Sequence, residues 1–533
     1  MLHLRNVLQL TRGYAAPVRG LAAAVAARST VSELRAKLVE SERKMASLKH
    51  AMALHPDPAR KRVAVLGAGR SSGPLIRYLL ERAEDERWSV LVADANVKLA
   101  ASKAGDHPAA AAVELDVANK DGLTAILDTA DVVVSMLPAS MHAPVIEMAI
   151  GLGKPVVTAS YATPDVRQHD AAAKAAGVPI VMECGVDPGI DHMSAKALID
   201  GIRDAGGDVR EFRSYTGGLV APESTTDNPW KYKLSWNPRN VVLAGRGVST
   251  YLQAGVVKFI PYNKLFSRAK NVVFPDGTTF EAYANRDSLQ YIDAYDLASA
   301  STVLRGTLRW PGFCEAWDVF VQLGLTDDSF AMEDADRMTY AEFLASFLPW
   351  RQSDSVELLL AYQLQQPMFS AVMDKIRWLG LFSDRRINAK GSPARILELL
   401  LQHKWRLRPG DRDLIGMLHK IAYVDANGEA REKISALKIK GSATDPDMTA
   451  MATTVSLPVA IMTKRILNGE TFGPGVVIPT ERNIYKPILA ELADDFGISF
   501  EDSDIPLVGG IHSDHFPTLV SQPEPSAAIE GSL

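Results

Sequence analysis

The sequence predicts an α/β protein centred on a doubly wound parallel sheet, with a second, mixed sheet and a mainly helical stretch after it. Three observations carry this. Strand-like and helix-like segments alternate from residue 61 to 182. The first strand candidate, within KRVAVLGAGRSSG (61–73), runs into a glycine turn that opens a helix. Asp94 ends the second strand candidate.

Residues 62–66 are mostly apolar and β-branched, short enough for a buried parallel strand. Gly67, Ala68 and Gly69 follow, and a helical apolar pattern begins at Leu75, Ile76, Leu79 and Leu80. This is the opening unit of a dinucleotide-binding Rossmann fold. Gly67 allows the tight turn, Gly69 lets the backbone approach a pyrophosphate, and the helix N-terminus offers free N–H groups. Ser72 stands where GxGxxG has its third glycine, and Gly73 comes one place late. Ser71 or Ser72 is therefore read as a hydroxyl donor to phosphate. A strand-to-helix turn with no ligand fits the same stretch.

Residues 88–93, WSVLVA, form the second strand candidate. An acid at its end, roughly 20 residues past the turn, accepts hydrogen bonds from the adenosine ribose. Asp94 takes that role or merely caps the next helix. As a ribose ligand it repels a 2′-phosphate and so favours NAD over NADP. Further strand candidates are 111–115, 131–135, 155–158 and 178–182, with helical patterns such as 140–151 and 165–176 between them. Ligands bind at the carboxyl ends of such strands. That edge collects Gly67, Asp94, Asp116, Leu137 of the Ser135–Pro138 run, and Ser160-Tyr161. Asp116 is read as an adenine-side residue or a plain loop aspartate.

ECGVDPGIDHM follows at 183–193. Asp187 before Pro188 reads as the N-cap of a helix over 188–204, with Asp191 and His192 in its first turn. Residues 209–216 alternate like a strand, and 217–236 form a long Gly- and Pro-containing loop of the kind that is commonly functional. Residues 278–287 and 301–310, which carry Arg286 and Arg309, again look extended. Helical patterns then cover 313–323, 339–348, 355–365, 371–382 and 392–404. The tryptophans from Trp310 through Trp317, Trp350 and Trp378 to Trp405 read as core. Residues 413–441 read as a hairpin turned at Asn427-Gly428. Helices over 447–469 and 481–495 precede a Pro- and Ser-rich tail that is expected to fray from 503.

Apolar residues make up 47 % and charged residues 23 % of the 533, ordinary for a globular chain with a large core. Lys plus Arg is 58 against 63 acids, which gives no reason to expect a nucleic-acid surface. Cys184 and Cys314 are the sole cysteines, so no disulfide framework or CxxC metal site is predicted. No stretch approaches the ~18 uninterrupted apolar residues of a membrane span. The first 30 residues carry Arg5, Arg12, Arg19 and Arg28 and no acid before Glu33. Leu4, Val7 and Leu8 share a helical face, which is the pattern of a mitochondrial transit peptide. Residues 31–60 read as an amphipathic helix and a linker.

The ordered motifs GAGRSSGP, SMLP, VVTASY, GVDPGIDHM, YTGGLVAPE, NPWKYKLSW, NRDS and RGTLRWPGF resemble the glutamate-forming saccharopine dehydrogenases, from about residue 61 to 500. The resemblance implies three parts. An NAD-binding Rossmann domain takes residues 61–186 plus 447–500. A mixed α/β domain, 187–312 plus 405–446, carries the substrate and a homodimer contact. A helical domain, 313–404, is inserted, and 501–533 is a tail. Larger bifunctional relatives carry a lysine-ketoglutarate reductase domain ahead of this unit, for which no room is expected here.

By the same resemblance, Ser160, Tyr161, Asp187, Arg286, Thr307, Leu308 and Arg309 touch saccharopine. Tyr161 and Asp187 are the expected proton-handling residues. Thr216 stands where relatives have a cysteine, so a thiol there is not available to this chain. The implied reaction oxidises the lysine-side C–N bond of saccharopine and hydrolyses the imine to glutamate and aminoadipate semialdehyde, in the mitochondrial matrix. Arginines suit the three substrate carboxylates. A related imine dehydrogenase, such as carboxynorspermidine dehydrogenase, is one alternative. A catalytically inactive NAD-binding regulatory protein is the other.

Overall fold

The computed structural model describes residues 60–349 and 355–508. The transit peptide, the 31–60 helix up to residue 59, Trp350 and the tail beyond 508 lie outside the described residues.

The first sheet has seven parallel strands. In chain order they are β1 (Lys61–Leu66), β2 (Trp88–Asp94), β3 (Ala110–Glu114), β4 (Val132–Ser135), β5 (Val156–Val157), β6 (Pro179–Val181) and a late strand, Gly475–Val477. In space they run late strand, β6, β5, β4, β1, β2, β3. The chain turns back at β1, and the crevice there is where a doubly wound sheet binds ligands. Helices α1 (Gly73–Glu81), α2 (Val97–Ala104), α3 (Lys120–Thr129) and α4 (His142–Gly151) connect the first five strands. The expected helix over 165–176 is broken into Pro164–Arg167 and Asp170–Ala176. Val63, Val65, Val90 and Val92 point to one buried face, Ala64, Ala93 and Val133 to the other. Both faces are covered, so the strands read as near-continuous apolar runs.

The chain leaves this domain through Ile190–Asp204, labelled α5. The second sheet contains β7 (Asp208–Val220), β8 (Val248–Gln253), β9 (Val256–Pro261), β10 (Lys270–Val273), β11 (Thr279–Ala284), β12 (Thr302–Arg309), β13 (Asp413–Val424) and β14 (Ala430–Lys440). It is mixed, as expected: β12 and β7 are parallel, the other pairs antiparallel. Three findings depart from the sequence reading. The sequence predicts neither the β8–β9 hairpin nor β10. The tail begins with a strand, Glu501–Pro506, paired antiparallel to β14 rather than frayed. Its alternation is hidden because every residue is exposed. Cross-strand partners hold it: Ser435 Oγ donates to Asp502 at 2.6 Å, and Arg431 Nε to Asp504 at 2.8 Å.

Among the described residues five α-helices follow β12 before β13: Phe313–Leu323, Tyr340–Ala345, Val356–Leu364, Ala371–Leu379 and Pro393–Lys404. Their core takes in Trp317 and Trp405, and also Trp230, Tyr232, Val242 and Phe266 from the segment before β9 and after it. The long loop after β7 therefore belongs partly to the helical unit. Finally Ala450–Leu467 packs on α1 and β13, and Arg482–Phe496 packs on α5, returning the chain to the first domain.

Candidate active site

The cofactor end is built by the turn after β1. Gly67 has φ +101°, and a Cβ there would lie 2.9 Å from the Met136 carbonyl oxygen. Glycine is required by both facts. The same contact lays the loop carrying Leu137 against the turn. Gly69 has open space where its Cβ would point, so the backbone is accessible to a ligand. Asp94 Oδ2 accepts from Ala68 N at 2.8 Å, and Oδ1 accepts from Asn96 N at 2.8 Å. Asp94 thus ties β2 to the glycine turn while its remaining lone pairs stay available. The cap of α2 is Asn96, not Asp94. Ser71 is half-buried at the mouth of the turn. Ser72 is corrected: it is 1 % exposed and its hydroxyl donates to the Gly69 carbonyl at 2.9 Å, so its proton goes to the turn, not to a phosphate. Asp116 is exposed, and its carboxylate accepts from Ala118 N, a loop-ordering bond.

The substrate end lies where the β5 and β6 loops meet the second sheet. Asp187 does not cap the helix, as the sequence had it. The helix starts at Ile190 with Gly189 at the N-cap, and Asp191 Oδ1 accepts from Gly189 N at 2.7 Å. Asp187 is engaged elsewhere: Tyr161 Oη donates to it at 3.0 Å and Arg305 Nη2 at 2.6 Å. Arg305 also bonds Asp191 and lies 4.4 Å over the Tyr291 ring. It is 4 % exposed. Arg286 reaches over the Tyr161 ring at 5.2 Å from an exposed loop position with φ +48°. A non-glycine residue held there stores backbone strain, which clusters at functional sites.

Sequence reasoning missed Arg305, although its signal was present. Side chains alternate along a strand, so Arg305, Thr307 and Arg309 share one face of β12. Leu308 points the other way into the core at 0 % exposure, which leaves only its main chain for a ligand. Thr307 is half-buried and pairs in register with Thr216. Arg309 is 3 % exposed and is surrounded by Tyr232, Tyr283 and Phe313, whose rings lie 5.3–5.6 Å from its guanidinium carbon. Nη1 donates to the Leu308 carbonyl and Nη2 to Tyr283 Oη, while Nε has no partner. None of the described carboxylates forms an ion pair with it.

The electrostatics divide the roles. Burial, then the Asp187 charge, pushes Tyr161 well above its ordinary range, so it stays a donor. Burial also raises the Asp187 carboxyl, with Asp191 adding to the effect against Arg305. Burial opposes the Asp191 charge too, but His192, Arg305 and the Gly189 N–H outweigh it and hold that carboxyl low. One guanidinium between two carboxylates therefore leaves Asp187 the better proton acceptor. Both cysteines are buried with their thiols pushed up, so neither offers a thiolate. Among the described residues no helix is long and apolar enough to cross a membrane, and no His, Cys, Asp or Glu cluster forms a metal site.

Two buried histidines shape the response to acid. Burial lowers His142 and His419 from 6.5 to about 4. The unfolded chain therefore binds more protons between these values. The stability these neutral rings contribute is complete above pH 6.5 and is lost as pH falls toward 4. Each loss amounts to at most about 3 kcal/mol. His419→Gln retains a partner for Ser194, which His419 Nε2 meets at 2.7 Å. Urea titrations between pH 6.5 and 4 should show a slope shallower by about one proton in that variant. An unchanged slope would refute the assignment.

The saccharopine dehydrogenase NADP binding domain matches residues 63–181, and the saccharopine dehydrogenase C-terminal domain matches 185–498. Saccharopine dehydrogenase [NADP(+), L-glutamate-forming] of Saccharomyces cerevisiae is 33 % identical over 453 residues, covering 84 % of this chain and 99 % of that protein. The mitochondrial alpha-aminoadipic semialdehyde synthase of Bos taurus is 32 % identical over 81 % of this chain and 47 % of its own length. The solved apo saccharopine dehydrogenase (L-Glu forming) from Saccharomyces cerevisiae superposes with a TM-score of 0.75, at 33 % identity over 84 % of this chain and all of that one. With a nicotinamide-dinucleotide domain, a second mixed sheet whose Arg305 pairs with Asp187, and family models matched from residue 63 to 498, the chain belongs to the saccharopine dehydrogenase family.

Proposed function

We propose that the protein catalyses NAD-dependent oxidation of saccharopine to L-glutamate and L-2-aminoadipate 6-semialdehyde, in lysine metabolism. The observation that carries the reading is Arg309, a buried guanidinium without a carboxylate partner among the described residues. A buried, unpaired charge is costly, and a substrate with three carboxylates relieves it. Arg286, over the Tyr161 ring, is a second carboxylate ligand. Carboxynorspermidine offers fewer carboxylates, so this pair of arginines favours saccharopine.

The residues present fit a dinucleotide. Gly67 and Gly69 admit the pyrophosphate, Ser71 offers a hydroxyl, Leu137 lies against the turn, and Asp94 faces the ribose with Asp116 further along. The bound nicotinamide supplies hydride acceptance. Asp187, raised by burial, takes the proton of the secondary amine. Tyr161 holds Asp187 in place and donates to it. Arg305 keeps Asp187 oriented and limits how far its pKa rises. The Saccharomyces cerevisiae relative and the matching nucleotide-binding domain family carry NADP in their names, and the NAD reading here is supported by the Asp94 carboxylate.

Purified protein given saccharopine and NAD should produce NADH and glutamate in equal amounts. No turnover with either NAD or NADP would refute the reading, and turnover of NAD with carboxynorspermidine alone would favour the alternative. The acid-free, Arg-bearing start supports a matrix location, which N-terminal sequencing of protein from cells tests. The homodimer is supported by exposed Val256, Val257 and Phe259 on the β8–β9 hairpin of the second domain.

A further inference from the structure

A three-residue hydrogen-bonded chain runs behind the proposed substrate cleft, where Tyr161, Asp187 and Arg305 meet. It joins Ser135 at the end of β4, His142 at the start of α4, and Ser160 beside Tyr161. Ser135 Oγ lies 2.9 Å from His142 Nδ1, and His142 Nε2 lies 2.7 Å from Ser160 Oγ. Ser135 is fully buried and His142 is 1 % exposed, so neither exchanges partners with water. Ser160 is half-buried at the edge of the cleft.

Proton counting fixes the direction of this chain. A neutral imidazole has one N–H and one bare nitrogen, and burial keeps His142 neutral near pH 7. Among the described residues the Ser135 hydroxyl has one partner, His142 Nδ1. A buried hydroxyl proton without an acceptor is expensive, so Ser135 donates to Nδ1. The imidazole proton then sits on Nε2 and is donated to Ser160 Oγ. The Ser160 oxygen is occupied as an acceptor from behind, and its own proton faces the cleft.

The geometry points to His142 as a positioning residue that makes the Ser160 hydroxyl a donor toward the cleft, so that this position takes a carboxylate oxygen of the substrate and disfavours its ammonium group. The substrate half of this statement rests on the saccharopine reading. The His142 half rests on the three side chains alone.

Two measurements test it. In ligand-free protein carrying ¹⁵N-histidine, long-range proton–nitrogen spectra should show the Nε2–H tautomer for His142, identified by its loss in His142→Gln. A proton on Nδ1, or a doubly protonated ring at pH 7, overturns the proposal whatever the substrate. In calorimetric titrations with saccharopine, Ser160→Ala and His142→Leu should each weaken binding about tenfold. The double variant should bind no worse than Ser160→Ala, because His142 acts through Ser160. His142→Gln, whose amide N–H takes the place of Nε2–H, should recover most of the affinity. Additive losses, or no recovery with glutamine, overturn the proposal. If the wild type binds no saccharopine, the substrate reading fails and the tautomer alone decides the role of His142.

Discussion

Replacing Arg309 with methionine should leave the chain folded and at least as stable, yet lower kcat/KM for saccharopine by about 10²- to 10³-fold. The two halves of this result have one cause. Arg309 is 3 % exposed, makes two neutral hydrogen bonds and has no ion pair among the described residues. Its Nε is buried without an acceptor. The rings of Tyr232, Tyr283 and Phe313 offset part of the desolvation. A buried ion bears a desolvation penalty that an apolar side chain of similar volume is free of. On the proposed reading the same exchange removes a planar fork that takes a substrate carboxylate through charge-assisted bonds, a loss of about 3–4 kcal/mol. Arg309→Lys keeps the charge but not the fork and should fall between the two. Urea unfolding and steady-state kinetics on the same preparations separate the effects. A variant with an unchanged KM and kcat would show that the guanidinium serves only the aromatic core.

Much of the first domain was legible because its signals are local. The apolar run 62–66, the two glycines and Asp94 lie within one strand–helix–strand unit, and each position is set by its neighbours in sequence. The substrate end is different. Arg305 meets Asp187 and Asp191 across more than 100 residues of chain, and no periodicity encodes that encounter. The capping pattern at Asp187-Pro188 pointed to a helix start at 188. The carboxylate went instead to Arg305 and Tyr161, and the helix waited until Ile190. A distant buried cation outcompeted a local cap. The face of β12 was readable in part. Once 301–310 is a strand, Arg309 and Thr307 imply Arg305 on the same face and leave Leu308 only its main chain for a ligand. Ser72 shows the same limit at shorter range, since its hydroxyl had the Gly69 carbonyl three residues back to satisfy before any phosphate.

Asp94 should make the protein prefer NAD over NADP by about a hundredfold in kcat/KM, and losing its charge should erase most of that preference. The carboxylate ends β2 beside the glycine turn, and Asp94 pairs in register with Glu114 on β3. In a parallel pair the two side chains stand on the same face, so a 2′-phosphate would meet two acids. Repulsion and the loss of charge-assisted bonds to the ribose together amount to a few kcal/mol. Lys98, exposed in the first turn of α2, is the nearby cation in sequence that would oppose this. The hydrogen bonds from Ala68 N and Asn96 N complicate a simple deletion, because Asp94 also holds the turn. Asp94→Asn is therefore the informative variant. Its oxygen still accepts from Ala68 N, while its amide nitrogen takes the place of Oδ1, carries no charge and gives up the bond from Asn96 N. Thermal melts of the Asn variant should fall slightly, by about the loss of one hydrogen bond, KM for NAD should rise, and KM for NADP should fall. Asp94→Ser should change the same ratio in the same direction but with a lower melting temperature, since the shorter side chain cannot reach both backbone donors. Equal use of both cofactors by the wild type, or a ratio untouched by Asp94→Asn, would remove Asp94 from the ribose and leave it as a brace of the glycine turn.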